Sequence, residues 1–307
     1  VSARLDHLRA LVRLVARGVR TRGAPAPLPT TPRRKAAVER AGLTAAPRQV
    51  ARYLAATGGE GIAAFRGPDA ILPPLFPATW ETAACLELFA GLEPPLPLGG
   101  FVHLEEETTW LRPLRADERF RCRVELERTE RVPRGTRMTV TARNWTEAGV
   151  LCSQSILVFL VRTASRGDKG ADGTRRPREE RPVLAPECGW REVARWRLRG
   201  SDGRRYARAS GDYNPIHLWA LTARPFGFRR PILHGYCTEA RTAHALVETL
   251  WGGDPRALRR LRIAFRSPLP LPSTASLLVH DGTEGIFRIT DGAGSRLYAE
   301  GSFTGER

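Results

Sequence analysis

The chain is short of cysteine, lysine and long apolar runs, and each shortage excludes something. Its five cysteines (Cys85, Cys122, Cys152, Cys188, Cys237) are an odd number without CxxC or metal-ligand spacing. That pattern excludes a disulfide-framed scaffold and a structural zinc site, and it predicts a reducing compartment, the cytoplasm. No run approaches the roughly 18 consecutive apolar residues of a membrane-spanning helix, so no transmembrane segment is expected. Lys35 and Lys169 are the only lysines, so nearly all of the formal net charge of +17 is carried by arginine. A field of that sign attracts anionic partners. Specific nucleic acid is not expected among them, because no zinc finger, helix-turn-helix or aromatic RNA-binding signature is there to read bases. Phosphorylated carriers such as coenzyme A, and acidic carrier proteins, fit the charge equally well.

What is there is a globular composition, 42% hydrophobic and 26% charged, in 307 residues, enough for one large domain or two ordinary ones. Residues 4–22 place Leu5, Leu8, Val12, Val15 and Val19 on one helical face opposite arginines, the pattern of a helix that packs on the adjoining domain, with a membrane-surface helix or a transit-like segment as the other readings. The run "APAPLPTTPRRK" then reads as a proline-stiffened connector. A second breaker-rich stretch, Ala164 to Pro182, is polar, charged and nearly free of large apolar residues, which marks a linker. The expected organisation is a basic helix and connector (1–40), an N-terminal unit (41–163), a linker (164–185) and a C-terminal unit (186–307).

The two units echo each other in order. "RYLAATGGE" from Arg52 parallels "RYARASGD" from Arg205, and "PPLFPATWETA" from Pro73 parallels "RPILHGYCTEA" from Arg230. "EEETTWLRPL" from Glu105 parallels "RLRIAFRSPL" from Arg260, with Pro113 matching Pro268. Each unit predicts one central helix, Thr79–Ala90 and Thr238–Trp251, followed by strand-like alternating runs. One helix wrapped by an antiparallel sheet in each half is an α+β plan.

The halves differ where chemistry would sit. Only the second carries "GDYNPIH", with Asp212, Asn214, Pro215 and His217 held together by a turn after Gly211. A carboxylate and an imidazole brought to one pocket can share a water and move its proton. Gly235, just before the predicted helix, offers backbone N–H groups to an oxygen on which negative charge develops. Alone, Asp212 and Asn214 would serve as turn caps; with His217 and the His234-Gly235 element they form a candidate site. Cys237 reads as a small apolar filler, lacking any triad partner. His7, His103, His244 and His280 read as structural, and "GGEGIAAFRG" fails as a phosphate loop for want of its third glycine and a preceding strand.

Gly211-Asp212-x-Asn214-Pro215-x-His217, followed by Ile232-Leu233-His234-Gly235, resembles the signature of the MaoC-like, (R)-specific enoyl-CoA hydratase (hydratase 2) family. The tight resemblance covers about Arg205–Leu246. It implies a double hot dog fold, with a degenerate N-terminal hot dog enlarging the acyl pocket beside a catalytic C-terminal one. It further implies a hydro-lyase of fatty acid metabolism acting on trans-2-enoyl and (R)-3-hydroxyacyl thioesters. On the matching positions, Asp212 and His217 would activate water, Gly235 would polarise the thioester carbonyl, and Asn214 would hold the loop. Ser210, Tyr206 and His234 are the further candidates for positioning substrate, and Thr242 is a weak candidate for orienting Asp212. No metal or redox cofactor is implied, since coenzyme A or carrier-protein phosphopantetheine travels with the acyl group; a homodimer is compatible with this plan. Two rivals stand beside this reading: a hot dog acyl-CoA thioesterase, and a non-catalytic acyl-thioester or nucleic-acid binding protein.

Overall fold

The computed structural model describes residues 36–92, 101–133, 135–162, 189–280 and 285–306. The expected basic helix and the expected linker lie outside the described residues, as do Cys188 and His7. Strand β1 (Ala37–Leu43) begins inside the stretch read as connector and pairs antiparallel with β3 (Phe120–Val132).

The first half also contributes β2 (Phe101–Trp110), β4 (Gly135–Thr146) and β5 (Leu151–Arg162). The second half contributes β6 (Trp190–Leu198), β7 (Leu258–Phe265), β8 (Ser273–His280), β9 (Gly285–Asp291) and β10 (Leu297–Gly305). All ten form one sheet in the order β1-β3-β4-β5-β2-β7-β10-β9-β8-β6. That order is a palindrome: replacing each strand of the first half by its counterpart gives the second half read backwards. The seam is the antiparallel pair β2–β7, running from Glu105 opposite Ala264 to Thr109 opposite Arg260. Arg260–Glu107 (2.5 Å) and Arg262–Glu105 (3.2 Å) ion pairs lie across it on the exposed face.

Alternation sets the faces. Along β4 the inward residues Met138, Val140 and Ala142 are fully buried, as a strand with one face on a core requires. The helices differ from one another by what surrounds them. Helices α2 (Ala78–Ala90) and α5 (Gly235–Leu250) are buried on nearly every side, so their apolar residues are not confined to one stripe. Helices α1 (Pro47–Thr57) and α3 (Asp202–Ser210) are amphipathic and bury only one face each.

The echo between halves is structural. Tyr53 and Tyr206 occupy matching places on α1 and α3, their ring centroids 6.0 Å apart. Thr57 and Ser210, four residues on, each donate their hydroxyl to the tyrosine carbonyl, and each helix ends on a left-handed glycine, Gly58 or Gly211. After the matching hydrogen bonds Leu72 N–H to Leu114 O and Leu233 N–H to Leu269 O, the paths diverge. The first half inserts the Pro74–Pro77 turn before α2, whereas the second passes directly through His234 into α5. α5 therefore starts three residues before the expected Thr238, with His234 as its N-cap.

Between the halves lies a buried acidic cluster. Glu239 of α5 and Glu106 of β2 meet in the core, and burial raises both carboxyls, Glu239 up to about 8, with each raised further by nearby carboxylates. Burial also raises Glu81 to about 7, against the Asn144 hydrogen bond that lowers it. Burial pushes the His103 and His244 imidazoles down to about 4. The folded carboxyls hold protons that the unfolded chain releases near pH 4.5, so their contribution to stability is lost as pH rises toward their folded values. The buried imidazoles act oppositely, but only below pH 6.5. Thermal unfolding should therefore show Tm falling between about pH 6.5 and 8. Glu239→Gln should flatten that fall and gain relative to the parent at pH 8; an unchanged slope would show that Glu239 is ionised in the fold.

Candidate active site

Helix α3 delivers the loop. Gly211 ends it in the left-handed region (φ 87°), a conformation L side chains rarely adopt, and turns the chain sharply. The next residues cap one another. Asp212 N–H donates to Ser210 Oγ (3.1 Å), Asn214 N–H to Asp212 Oδ1 (3.1 Å), and Ile216 N–H to Asn214 Oδ1 (3.4 Å). Pro215 opens one 3-10 turn that ends on His217. The loop lies directly on α3: a Cβ on Gly203 would come within 2.1 Å of the His217 carbonyl oxygen. No side chain fits between that helix and that peptide.

His217 is buried, and its Nδ1 lies 2.8 Å from Ile232 O. A carbonyl oxygen can only accept, so Nδ1 carries the proton and Nε2 presents a lone pair. Burial lowers the His217 pKa, opposed by the Asp212 charge and the Ile232 bond, which favours the neutral base. His234 stacks on His217 with ring centroids 3.7 Å apart, and its Nε2 donates to Asp212 O at 3.0 Å. One donor atom each from Asp212, His217 and His234 lies within 4.8 Å of the other two. The Asp212 side chain keeps 16% of its surface accessible against 1% for His234, so the group opens to its surroundings through the carboxylate. The carbonyl bonds take up His217 Nδ1 and His234 Nε2, so the lone pairs of this trio lie on His217 Nε2, His234 Nδ1 and the Asp212 carboxylate.

The expected residues thus come together, with their work divided differently. Ser210 and Tyr206 are both buried: Ser210 accepts the Asp212 amide, and Tyr206 packs its ring 4.8 Å from His234. Asn214 and His234 likewise hold the loop. Thr242 donates back to Thr238 O (2.9 Å) within α5, so its hydroxyl proton is spent on its own helix rather than on Asp212. Cys237 is the buried filler expected; its thiol donates to Ala56 O and burial raises it to about 11. The four described cysteines are all free and buried. His244 is structural too, facing Thr57 O at 3.3 Å.

Gly235 is the first residue of α5, and the amides of Gly235, Tyr236 and Cys237 precede the first bond of the helical ladder, Thr238 N–H to His234 O (3.0 Å). A Cβ at Gly235 would stand 3.1 Å from the Phe265 ring and 3.4 Å from His103 Nδ1. His103 belongs to β2 of the first half, and the structure brings this nominally structural histidine to the edge of the site. Its ring is wedged among Phe159, Tyr236 and Phe265 with centroids 4.8–5.3 Å away. No local pattern in the sequence announces it, because only the β2–β7 seam brings it to α5.

A family profile described as "MaoC like domain" matches residues 174–298, and one described as "FAS1-like, dehydratase domain region" matches 57–153. The 3-hydroxyacyl-thioester dehydratase X of Mycobacterium tuberculosis is 29% identical over 86% of this chain and 88% of that protein. The peroxisomal enoyl-CoA hydratase 2 of Arabidopsis thaliana is 28% identical over 60% of this chain and 63% of that protein. The crystal structure of HtdX of Mycobacterium tuberculosis superposes with a TM-score of 0.68, at 24% identity, over 88% of this chain and 100% of that one, and shares its fold.

The contact under His217 is open to test. Gly203→Ala should displace the His217 peptide and lower turnover at least tenfold while the circular dichroism spectrum of the sheet persists; wild-type turnover would mean the loop does not rest on α3.

Proposed function

The chain belongs to the MaoC-like dehydratases, hydro-lyases of double hot dog architecture, and we propose that its single equipped half carries the water chemistry through Asp212 and His217. The reaction is the hydration of trans-2-enoyl thioesters and its reverse, the dehydration of 3-hydroxyacyl thioesters. The observation that carries the assignment of residues is the His217 tautomer. With Nδ1–H tied to Ile232 O, Nε2 is the free base, and the Asp212 carboxylate stands beside it in the same opening.

In the hydration direction a water sits between Asp212 and His217 Nε2. Its oxygen bonds C3 of the enoyl group as the C2=C3 π bond breaks. The pair accepts one proton from that water and returns one to C2, so no net proton leaves the site. Charge gathers on the thioester oxygen on the way, and the Gly235 amide at the positive end of α5 answers it. Dehydration retraces these steps. This chemistry asks for no metal or redox cofactor; coenzyme A or phosphopantetheine arrives with the acyl group. A reducing compartment such as the cytoplasm suits four buried free thiols. The relatives reported above are named dehydratase and hydratase, which favours this chemistry over the thioesterase reading.

Loss of enoyl absorbance from crotonyl-CoA provides the test. Asp212→Asn and His217→Ala should each lower kcat/KM about 10²–10⁴-fold while the circular dichroism spectrum shows the fold retained; full activity in either would remove the mechanism. Because the His217 pKa is lowered, the acid limb of the wild-type pH profile should fall below pH 6.5, and a plateau should extend above it. Dialysis against a chelator should leave the rate unchanged.

A further inference from the structure

We propose that the surface beside the catalytic loop, built from Trp219, Leu221, Phe226, Arg224 and Arg229, docks an acidic carrier protein that presents the acyl thioester. The inference rests on the hydro-lyase reading above and names the form in which that site receives its substrate.

Three observations converge. First, apolar side chains stand in the open: Leu221 is 77% exposed, Trp219 52% and Phe226 37%. They sit on the segment that runs from His217 through the helical turn α4 (Ala220–Ala223) to Phe226, and they do not pack into the core. Trp219 is held in place from outside, with the Arg204 guanidinium 5.6 Å over its ring and that arginine's Nη1 bonded to Leu218 O (2.8 Å) and Gly200 O (3.2 Å).

Second, the charge around them is one-sided. From Arg199 to Arg230 there are seven arginines and two acidic residues, Asp202 and Asp212. Asp202 is buried against Arg205 and Arg241, and Asp212 belongs to the catalytic loop. Elsewhere on the surface arginines meet carboxylates, as Arg260 does Glu107, Arg262 does Glu105 and Arg266 does Glu300. Arg224 and Arg229 are exposed and form no ion pair among the described residues. Their charge is available to a partner, and the partner it suits is anionic.

Third, the place fits the task. Trp219 is two residues from His217 in the chain, so a partner seated on this segment lies beside the catalytic loop. An apolar centre of Trp, Leu and Phe with an arginine rim is the composition of a protein interface. A nucleotide phosphate alone would use the arginines and leave Leu221 in water. Protein-borne substrate would use both.

The decisive comparison sets one acyl group on three carriers: crotonyl joined to an acidic acyl carrier protein, to coenzyme A and to pantetheine. The double variant Arg224→Glu/Arg229→Glu and the single variant Leu221→Asp should each lower kcat/KM for the carrier-protein substrate at least tenfold, through KM. Turnover of crotonyl-pantetheine should stay within twofold of wild type, which also shows that the variants fold. Wild-type kcat/KM for the carrier-protein substrate should fall as salt rises. Equal losses on all three substrates would overturn the proposal, as would a loss confined to crotonyl-CoA, which would mark a nucleotide site instead. Refusal of the carrier-protein substrate by a wild-type enzyme that turns over crotonyl-CoA would also overturn it. Absence of turnover with every crotonyl thioester would remove the hydro-lyase reading itself, a result distinguishable from the others.

Discussion

The hydrogen bond between His217 Nδ1 and Ile232 O is the constraint on which the site depends. It decides which nitrogen of the imidazole is free, and it ties the end of the catalytic loop to the chain entering α5. A second link, His234 Nε2 to Asp212 O, ties the beginning of the loop to the same place. Two histidines thus fasten both arms of one turn to the corner where Gly235 begins its helix. The acid, the base and the backbone donor are positioned by one another as much as by the sheet beneath them. Stacking adds a further condition. With centroids 3.7 Å apart, the two imidazoles cannot both carry charge without strong mutual repulsion, and burial already disfavours the charge on His217.

The first half shows what the same corner looks like without chemistry. It has the equivalent helix end, with Thr57 and Gly58 in the places of Ser210 and Gly211. It has the equivalent central helix, but the Pro74–Pro77 turn occupies the entry where His234 and Gly235 stand in the second half. Its contribution to the site is indirect and reaches across the seam. His103, stacked on Phe159, packs beside Gly235 and Tyr236.

Much of this was legible in the sequence because it is local. Asp212, Asn214, Pro215 and His217 lie within six residues, so turn chemistry alone brings them together. Gly235 could be located by the echo between halves and by the helix after it. The edge strands β1 and β6 escaped because they bury little: most of their residues remain partly or fully exposed, so alternation is faint. Helix α3 escaped because Asp202, Arg204, Arg205 and Arg208 make four charges in nine residues, a loop-like composition rescued by a single buried face. The start of α5 was placed late because Gly235 reads as a breaker, although a first-turn glycine leaves the amides open and lets Phe265 approach. His103 could not be found at all, since its role arises from strand pairing between residues more than a hundred positions apart.

The β2–β7 seam has an evolutionary corollary. Two separate, identical subunits joined edge to edge in this way would have to carry every residue twice, so any change at one entrance would appear at the other. Joined in tandem, the copies are released from that identity. One entrance could be stopped with prolines and its interior reshaped while the other kept its histidines. The cost is that neither copy can leave: cut apart, each would bare a long unpaired strand, an edge prone to aggregate. Asymmetry of chemistry and permanence of association are here two results of one ladder of hydrogen bonds.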